Sequence, residues 1–408
     1  MPFTAADCER ARRDFPALGR IVDGRALAFL DGPAGTQVPE AVIDAVAGYY
    51  RRSNANTHGE FPTSRESDRL LHETREAVAA FLGAPSWRQV SFGQNMTTLN
   101  YSLSHALVKE TAPGDEIVIT QLDHEANRGP WLALKDQGIT VREVAMRPDG
   151  TLDPDDFARQ VTARTRLVAV VMASNALGTV TDVAQARRLA RQAGAWLLLD
   201  AVHYAAHLPL DVQELDADFL LCSAYKFYGP HVGILYCRPG LLERLPAERL
   251  RTQEEEAPWR FEMGTLNHAA LAGVKATVEY LSAWGEGETL RQRLVSAMDG
   301  IAAYEHGVGA YYYNEVRRIS GVTVWGPDFS GPRAPTISIT IDGVHPAAAA
   351  RRLGEKGIQV WDGNFYALRP VEALGLAEKG GLIRTGIVMY NTRQEVDRLL
   401  EAIAEIAG

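Results

Sequence analysis

Apolar runs alternate with amphipathic ones along most of this chain. The stretches "DEIVIT" (115–120), "TRLVAVVMAS" (165–174), "AWLLLD" (195–200), "DADFLLC" (216–222) and "GILYC" (233–237) carry no regular polar face. Strands covered on both sides of a parallel sheet read this way. A shorter run, "QVSF" (89–92), adds another strand. Between the runs, apolar positions recur every three or four residues at 40–52, 66–83, 96–110 and 183–194, the spacing of helices with one buried face. "ALAFLDGPAGTQVP" (26–39) reads as a strand followed by a Gly-Pro loop, and the polar "SNANTHGEFPTSR" (53–65) as a loop. This alternation predicts an α/β fold with a mostly parallel central sheet. After a helix near 267–284 the chain becomes more charged. Residues 287–319 read as one long helix or a broken pair. Then come a strand (336–341), a helix (346–357), strands at 358–361 and 382–390, and a helix (393–406). We read 26–285 as the larger domain, and 1–25 plus 286–408 as a smaller α+β domain.

Composition narrows the function. The chain has 408 residues, 46% of them hydrophobic, enough for a large core or two. The formal charge of −9, with no basic stripe, argues against a nucleic-acid partner. The longest apolar run, "LVAVVMA" (167–173), is too short for a bilayer span. The charged N-terminal stretch has no apolar signal core, so a cytoplasmic protein without a membrane partner is expected. Cys8, Cys222 and Cys237 form no CxxC pair and read as free thiols. No metal is expected: His203 and His207 are spaced i, i+4, but in a loop-like stretch ending in proline.

Candidate chemistry gathers where the strands end, the edge at which open α/β sheets bind ligands. Lys226 follows one buried run in "SAYKFYGP" (223–230), with Ser223 before it. Asp200 ends "AWLLLD", and His203 follows it. Asn175 follows "VVMAS", His124 follows "IVIT", and Asn95 and Met96 open a helix after "SFGQ". Each alone has an ordinary reading: a snorkelling lysine, a helix cap for Asp200, turn chemistry for Asn175, hydrogen-bonded core histidines. Together they suit pyridoxal 5'-phosphate. The cofactor's aldehyde needs an amine, which Lys226 provides as a Schiff base. Its ring nitrogen needs a carboxylate (Asp200), its phenolate oxygen a donor (Asn175), and its flat ring a stacking partner (His124). Its phosphate needs a helix N-terminus and a hydroxyl, which the Asn95 and Met96 amides and Ser223 offer.

At these residues the chain resembles the class V aminotransferase family of fold-type I pyridoxal-phosphate enzymes, and within it the cysteine desulfurase and selenocysteine lyase branch. The likeness runs through "GDEIVITQLDHEANRGPW", "SNALGTV", "LLLDAVHYAAH", "DFLLCSAYKFYGPHVGILY", "FEMGTLNHAALAGVKATVEYL" and "IRTGIVMYNT". It implies that Lys226 is the Schiff-base lysine, that Asp200 partners the pyridinium and that His124 stacks on the ring. Asn175 and His203 would contact the phenolate edge, with Ser223 and the helix start at Asn95 on the phosphate. Thr265 would reach in from a second subunit, which implies a homodimer with shared active sites. Arg384 matches the arginine that clamps the substrate carboxylate, a bidentate grip lysine lacks.

Three departures qualify the resemblance. His203 stands where desulfurases have glutamine, and Tyr225 where they have the histidine before the lysine; its hydroxyl could still reach the phosphate. Desulfurases also carry a nucleophilic cysteine on a mobile loop, and the matching stretch, "WDGNFYALRP" (361–370), has Tyr366 there. A phenol cannot hold sulfur as a persulfide. The expected reaction is therefore β-elimination, a carbon–sulfur lyase acting on cysteine, cystine or a cysteine conjugate. Transamination, epimerisation, decarboxylation and carbon–carbon bond formation stay open, as does a non-catalytic scaffold that holds the cofactor. Asn364 and Tyr366 on "GNFYALRP", and the loop around Arg65, are expected to select the amino-acid substrate. A plain surface arginine is the alternative for Arg65.

Overall fold

A computed structural model describes residues 3–408; Met1 and Pro2, which open the segment assigned to the smaller domain, lie outside the described residues. Seven strands form the central sheet: β1 (Val90–Gly93), β2 (Glu116–Thr120), β3 (Thr140–Val144), β4 (Thr165–Val171), β5 (Trp196–Asp200), β6 (Phe219–Ser223) and β7 (Gly233–Cys237). Their order is β1-β7-β6-β5-β4-β2-β3. Only β7 runs against its neighbours. The apolar runs are continuous because both faces are covered. Val168, Val170, Leu197, Leu199 and Leu220 enter one core, while Leu167, Ala169, Leu198, Phe219 and Leu221 enter the other. Each of the Val, Leu and Phe side chains contributes about 1.5–3 kcal/mol by leaving water.

A second, antiparallel sheet holds β8 (Val322–Trp325), β9 (Thr336–Ile341), β10 (Trp361–Gly363) and β11 (Leu382–Gly386) in the order β8-β9-β11-β10. The segment read as one helix or a pair is a single 27-residue helix, Leu290–Val316, started by a Thr289 capping box. Among the described residues, no helix is long and apolar enough to cross a membrane.

The structure revises several elements. The strand expected near residue 26 is only Ala28–Phe29, and it pairs in parallel with Ile358–Gln359. Leu30 lies in the core of the smaller sheet, and Asp31 bridges to Gly386. The strand at 358–361 divides between that pair and β10. The strand at 382–390 stops at Gly386, where the Ile387 amide turns to the Pro335 carbonyl. Among the elements that left no periodic signature are the helices Glu125–Leu132 and Pro154–Gln160, β3 and β8. The two helices are barely two turns each. β3 is a half-buried edge strand with a mixed pattern, and β8 alternates only weakly.

Candidate active site

The C-terminal ends of β2, β4, β5 and β6 open on one side of the sheet, and a cavity lies there with an empty volume of about 510 Å³, mouth included. It is lined by Asn95, Met96, His124, Asn175, Asp200, His203, Ser223, Tyr225 and Lys226, all nominated by the sequence, with Thr97, Ala126 and the apolar Val171, Ala173 and Val202 between them.

Helix α1 (Met96–Leu107) points its N-terminus into the cavity. Asn95 caps it, its Oδ1 accepting from the Thr98 amide at 2.9 Å, and the Met96 amide donates to Ser223 Oγ at 3.2 Å. This approach needs Gly233 on β7: a Cβ there would sit 2.3 Å from the Asn95 carbonyl carbon. Helix α2 (Glu125–Leu132) is capped by His124, whose Nδ1 accepts from the Ala126 amide at 3.0 Å. That bond leaves the imidazole face on the cavity. Burial, with Lys226 and Arg384 nearby, lowers His124 to about 4, so its ring is neutral at neutral pH.

Asp200 and Lys226 both line the cavity, and their charges interact. Burial raises Asp200 to about 7, with Asp123 adding to the rise and Lys226 opposing it. Burial also lowers Lys226 to about 7, helped by Arg384 and opposed by Asp200. The Lys226 ammonium donates to the Pro33 carbonyl and, at 3.1 Å, to the Ala34 carbonyl. Asp123 is fully buried and accepts from the Thr120 and Val171 amides at 2.6 and 2.5 Å. It ties β2 to β4 beneath the cavity, a role that nothing but its place beside His124 in "QLDHEAN" could have signalled.

Arg384, on β11, is 3% exposed; its Nη1 donates to the Asn175 carbonyl at 3.0 Å, and its guanidinium lies 4.2 Å over the Phe365 ring. Burial lowers it to about 9, with Asp31 opposing. Phe365, absent from the sequence reading, thus covers the expected carboxylate clamp, and its carbonyl also takes the Asn175 amide at 3.0 Å. The loop bearing Asn364 and Tyr366 lies beside two lining residues, through the Phe365 carbonyl on Asn175 and the Tyr366 ring near His124. Asn364 Oδ1 accepts from the Tyr366 amide at 3.1 Å, and the Tyr366 ring, 74% exposed, lies 6.0 Å from the His124 ring. Tyr225 stacks flat on His231, centroids 4.7 Å apart.

Two nominated residues lie elsewhere in this chain. Thr265 lines a separate cavity with His58 and Arg75. Arg65 stands on the helix Pro62–Leu82, paired at 2.6 Å with Glu60 and largely exposed. The three cysteines are buried, and none lines the Lys226 cavity.

These residues fit pyridoxal phosphate. Asn175 Oδ1, Arg384 Nε and Asp31 Oδ1 are buried without a protein partner, and each such atom costs about 1–3 kcal/mol unless something satisfies it. A helix N-terminus with a serine hydroxyl suits a phosphate. A carboxyl held near 7 suits a pyridine nitrogen, and an amine lowered to about 7 suits an aldehyde.

Comparison with known proteins agrees in extent. The profile of the family described as aminotransferase class-V matches residues 28–399. The chain is 34% identical to a cysteine desulfurase of Enterobacter sp. (strain 638) over 98% of each chain. It is 33% identical to a probable cysteine desulfurase of Halobacterium salinarum, over 98% of this chain and 96% of that one. Among solved structures it is similar to a cysteine desulfurase from Thermococcus onnurineus NA1, with a TM-score of 0.87 at 27% identity over 98% of both chains. It is also similar to the cysteine desulfurase CsdA from Escherichia coli, with a TM-score of 0.84 at 28% identity over 98% of both.

Proposed function

The chain belongs to the aminotransferase class-V family and is a pyridoxal-phosphate-dependent enzyme, and from that premise we propose that it cleaves the β-carbon–sulfur bond of cysteine, cystine or a cysteine conjugate. The observation that carries this reading is a cavity that gathers Lys226 and Asp200 beside Arg384 and has no cysteine in its lining. Bound pyridoxal phosphate supplies an aldehyde for the substrate amine and a conjugated ring that takes up the electron pair released at the α-carbon.

The chain's own groups divide the remaining work. Lys226 Nζ is the attachment point, and once free it takes the α-proton; its affinity, lowered to about 7, suits a general base at neutral pH. Asp200 holds a proton at the ring nitrogen. The Met96 amide and Ser223 hold the phosphate, with Asn95 and Tyr225 at the same end. His124 would stack on the cofactor's ring, and Asn175 and His203 would hold its phenolate oxygen. Arg384 would grip the substrate carboxylate and so orient the substrate in the cavity. For that grip the Phe365 ring must share or yield the guanidinium face.

Sulfur then has no thiolate acceptor. Burial raises Cys8 to about 11 and lifts Cys222 and Cys237 further, so all three stay protonated and inert. Tyr366, whose ring lies near that of His124, is a phenol and cannot take sulfur up. The sulfur therefore leaves as sulfide or thiolate: cysteine and water give pyruvate, ammonia and hydrogen sulfide, with no net oxidation. We place the enzyme in a homodimer in which Thr265 serves the partner's cavity. The test is to incubate holoenzyme with L-cysteine and quantify pyruvate, sulfide and alanine. Pyruvate and sulfide in equal amounts are expected. Alanine would mean that the sulfur finds another acceptor, and would overturn the lyase reading; an absence of all three products would remove cysteine as the substrate.

A further inference from the structure

The turn after β5 carries two histidines four residues apart, and the chemistry above uses only His203. His207 is buried, and its Nδ1 shares a 2.7 Å hydrogen bond with Glu305 Oε2, on the long helix Leu290–Val316. Glu305 is fully buried, and its second oxygen, Oε1, has no hydrogen-bond partner. Burial raises its carboxyl above the ordinary range, while His207 and Tyr228 pull it back. An ionisable pair in a core usually contributes less stability than apolar residues of the same size, so its presence beneath a functional cavity asks for another reason.

The geometry supplies one. The His207 ring packs edge-on against the His203 ring, centroids 4.9 Å apart at 77°. On another edge, His203 Nε2 lies 2.8 Å from Thr336 Oγ1, on β9. Both groups that hold the His203 ring thus trace back to the smaller sheet and its long helix. Burial keeps His203 neutral, with His207, Lys226 and Arg384 acting in the same direction. A neutral imidazole has one donor and one acceptor nitrogen, and its partners decide which is which. The Thr336 hydroxyl can donate or accept, so by itself it does not choose.

Resting on the cofactor reading above, we infer that His207 and Glu305 are positioning residues that fix the ring plane and tautomer of His203 in the cofactor cavity. Glu305 orients His207, and the His207 ring blocks a flip of His203. The nitrogen that His203 presents to the cofactor is then set from outside the cavity.

The test uses a double variant, His207→Leu with Glu305→Leu, which removes the ring that blocks the flip together with its carboxylate partner and leaves no orphaned charge. Glu305→Gln is the conservative control, since its amide oxygen still accepts from His207. Ring-nitrogen NMR of labelled histidine in cofactor-free protein reads the tautomer. The pH dependence of the bound cofactor's visible band reads the effect on the site. A single His203 tautomer is expected in wild type and in Glu305→Gln. The double variant should show mixed tautomers and a midpoint moved by about half a pH unit or more. Wild-type-like ring shifts and midpoint in the double variant, with only a lower Tm, would reduce the pair to a structural role and overturn the inference. Mixed tautomers in wild type would overturn it even if the double variant did not fold. A visible band that survives Lys226→Ala would instead overturn the cofactor reading, while the ring shifts of cofactor-free protein would still decide the positioning.

Discussion

Lys226 shows how much a single side chain owes to its surroundings. Its affinity for a proton falls from 10.5 to about 7 because burial penalises the ammonium and Arg384 repels it. The neutral amine is the form that reacts with an aldehyde, so reloading of cofactor-free protein with pyridoxal phosphate should accelerate as pH rises through about 7. Arg384→Gln removes the repelling charge and should move that midpoint up. A wild-type midpoint near the ordinary 10.5 would contradict the burial argument. Lys226→Ala should abolish the covalent absorption band altogether. Tyr366 presents the opposite case, a side chain held in a costly backbone state. It and Phe365 sit at φ 56° and 57°, the left-handed region that favours glycine. Tyr366 is mostly exposed, so Tyr366→Gly gives up little packing. It should stabilise the fold by about 0.5–1 kcal/mol in chemical denaturation; a loss of stability would show that the ring is held by contacts stronger than this geometry implies.

The strained loop is tied down by the element beneath it. The Glu125 amide, at the start of α2, donates to the Tyr366 carbonyl at 2.8 Å. Farther along, Arg369 grips Glu143 on β3 with Nε and Nη2, and Glu143 also pairs with Arg128 of α2 at 2.5 Å. The charges are partly exposed, so Arg369→Ala should cost no more than about 1 kcal/mol of global stability. Its effect should be local: faster amide exchange at Glu125, and more so at high salt in the wild type, where the network is screened. Unchanged protection at Glu125 would show that the loop is held by Ala367 and Phe365 in their apolar cluster instead. None of this was readable from the pattern. β3 and α2 are short and mixed in polarity, so the elements that brace the loop left no periodic trace.

At the scale of the molecule, the two sheets meet beside the cavity, where Arg384 donates to the carbonyl of the lining residue Asn175. Arg384 arrives from β11, in register with Ser338 of β9, while Lys226, Asp200 and His203 arrive from the central sheet. Thr265 does not reach the cavity of its own chain. If it serves a partner, mixing Lys226→Ala subunits with Thr265→Ala subunits should restore one complete site per heterodimer. Cofactor binding by the mixture should then exceed that of either variant alone. A mixture that merely averages the two would place Thr265 outside the site.

The alternation of apolar and amphipathic runs determined the α/β class, because a strand buried on both faces has no solvent-facing row to give it a regular polar alternation. The strand-end polar residues determined the cofactor, because an amine, a carboxylate and a helix N-terminus at one sheet edge suit few other groups. The contacts between residues remote in sequence were left to the tertiary structure. Phe365 reaches Arg384 across 19 positions that include the helix Leu368–Ala373, and His207 meets Glu305 across 98 positions. Such pairings depend on how the smaller sheet docks on the larger one, and docking is set by the summed shape of two cores rather than by any local pattern.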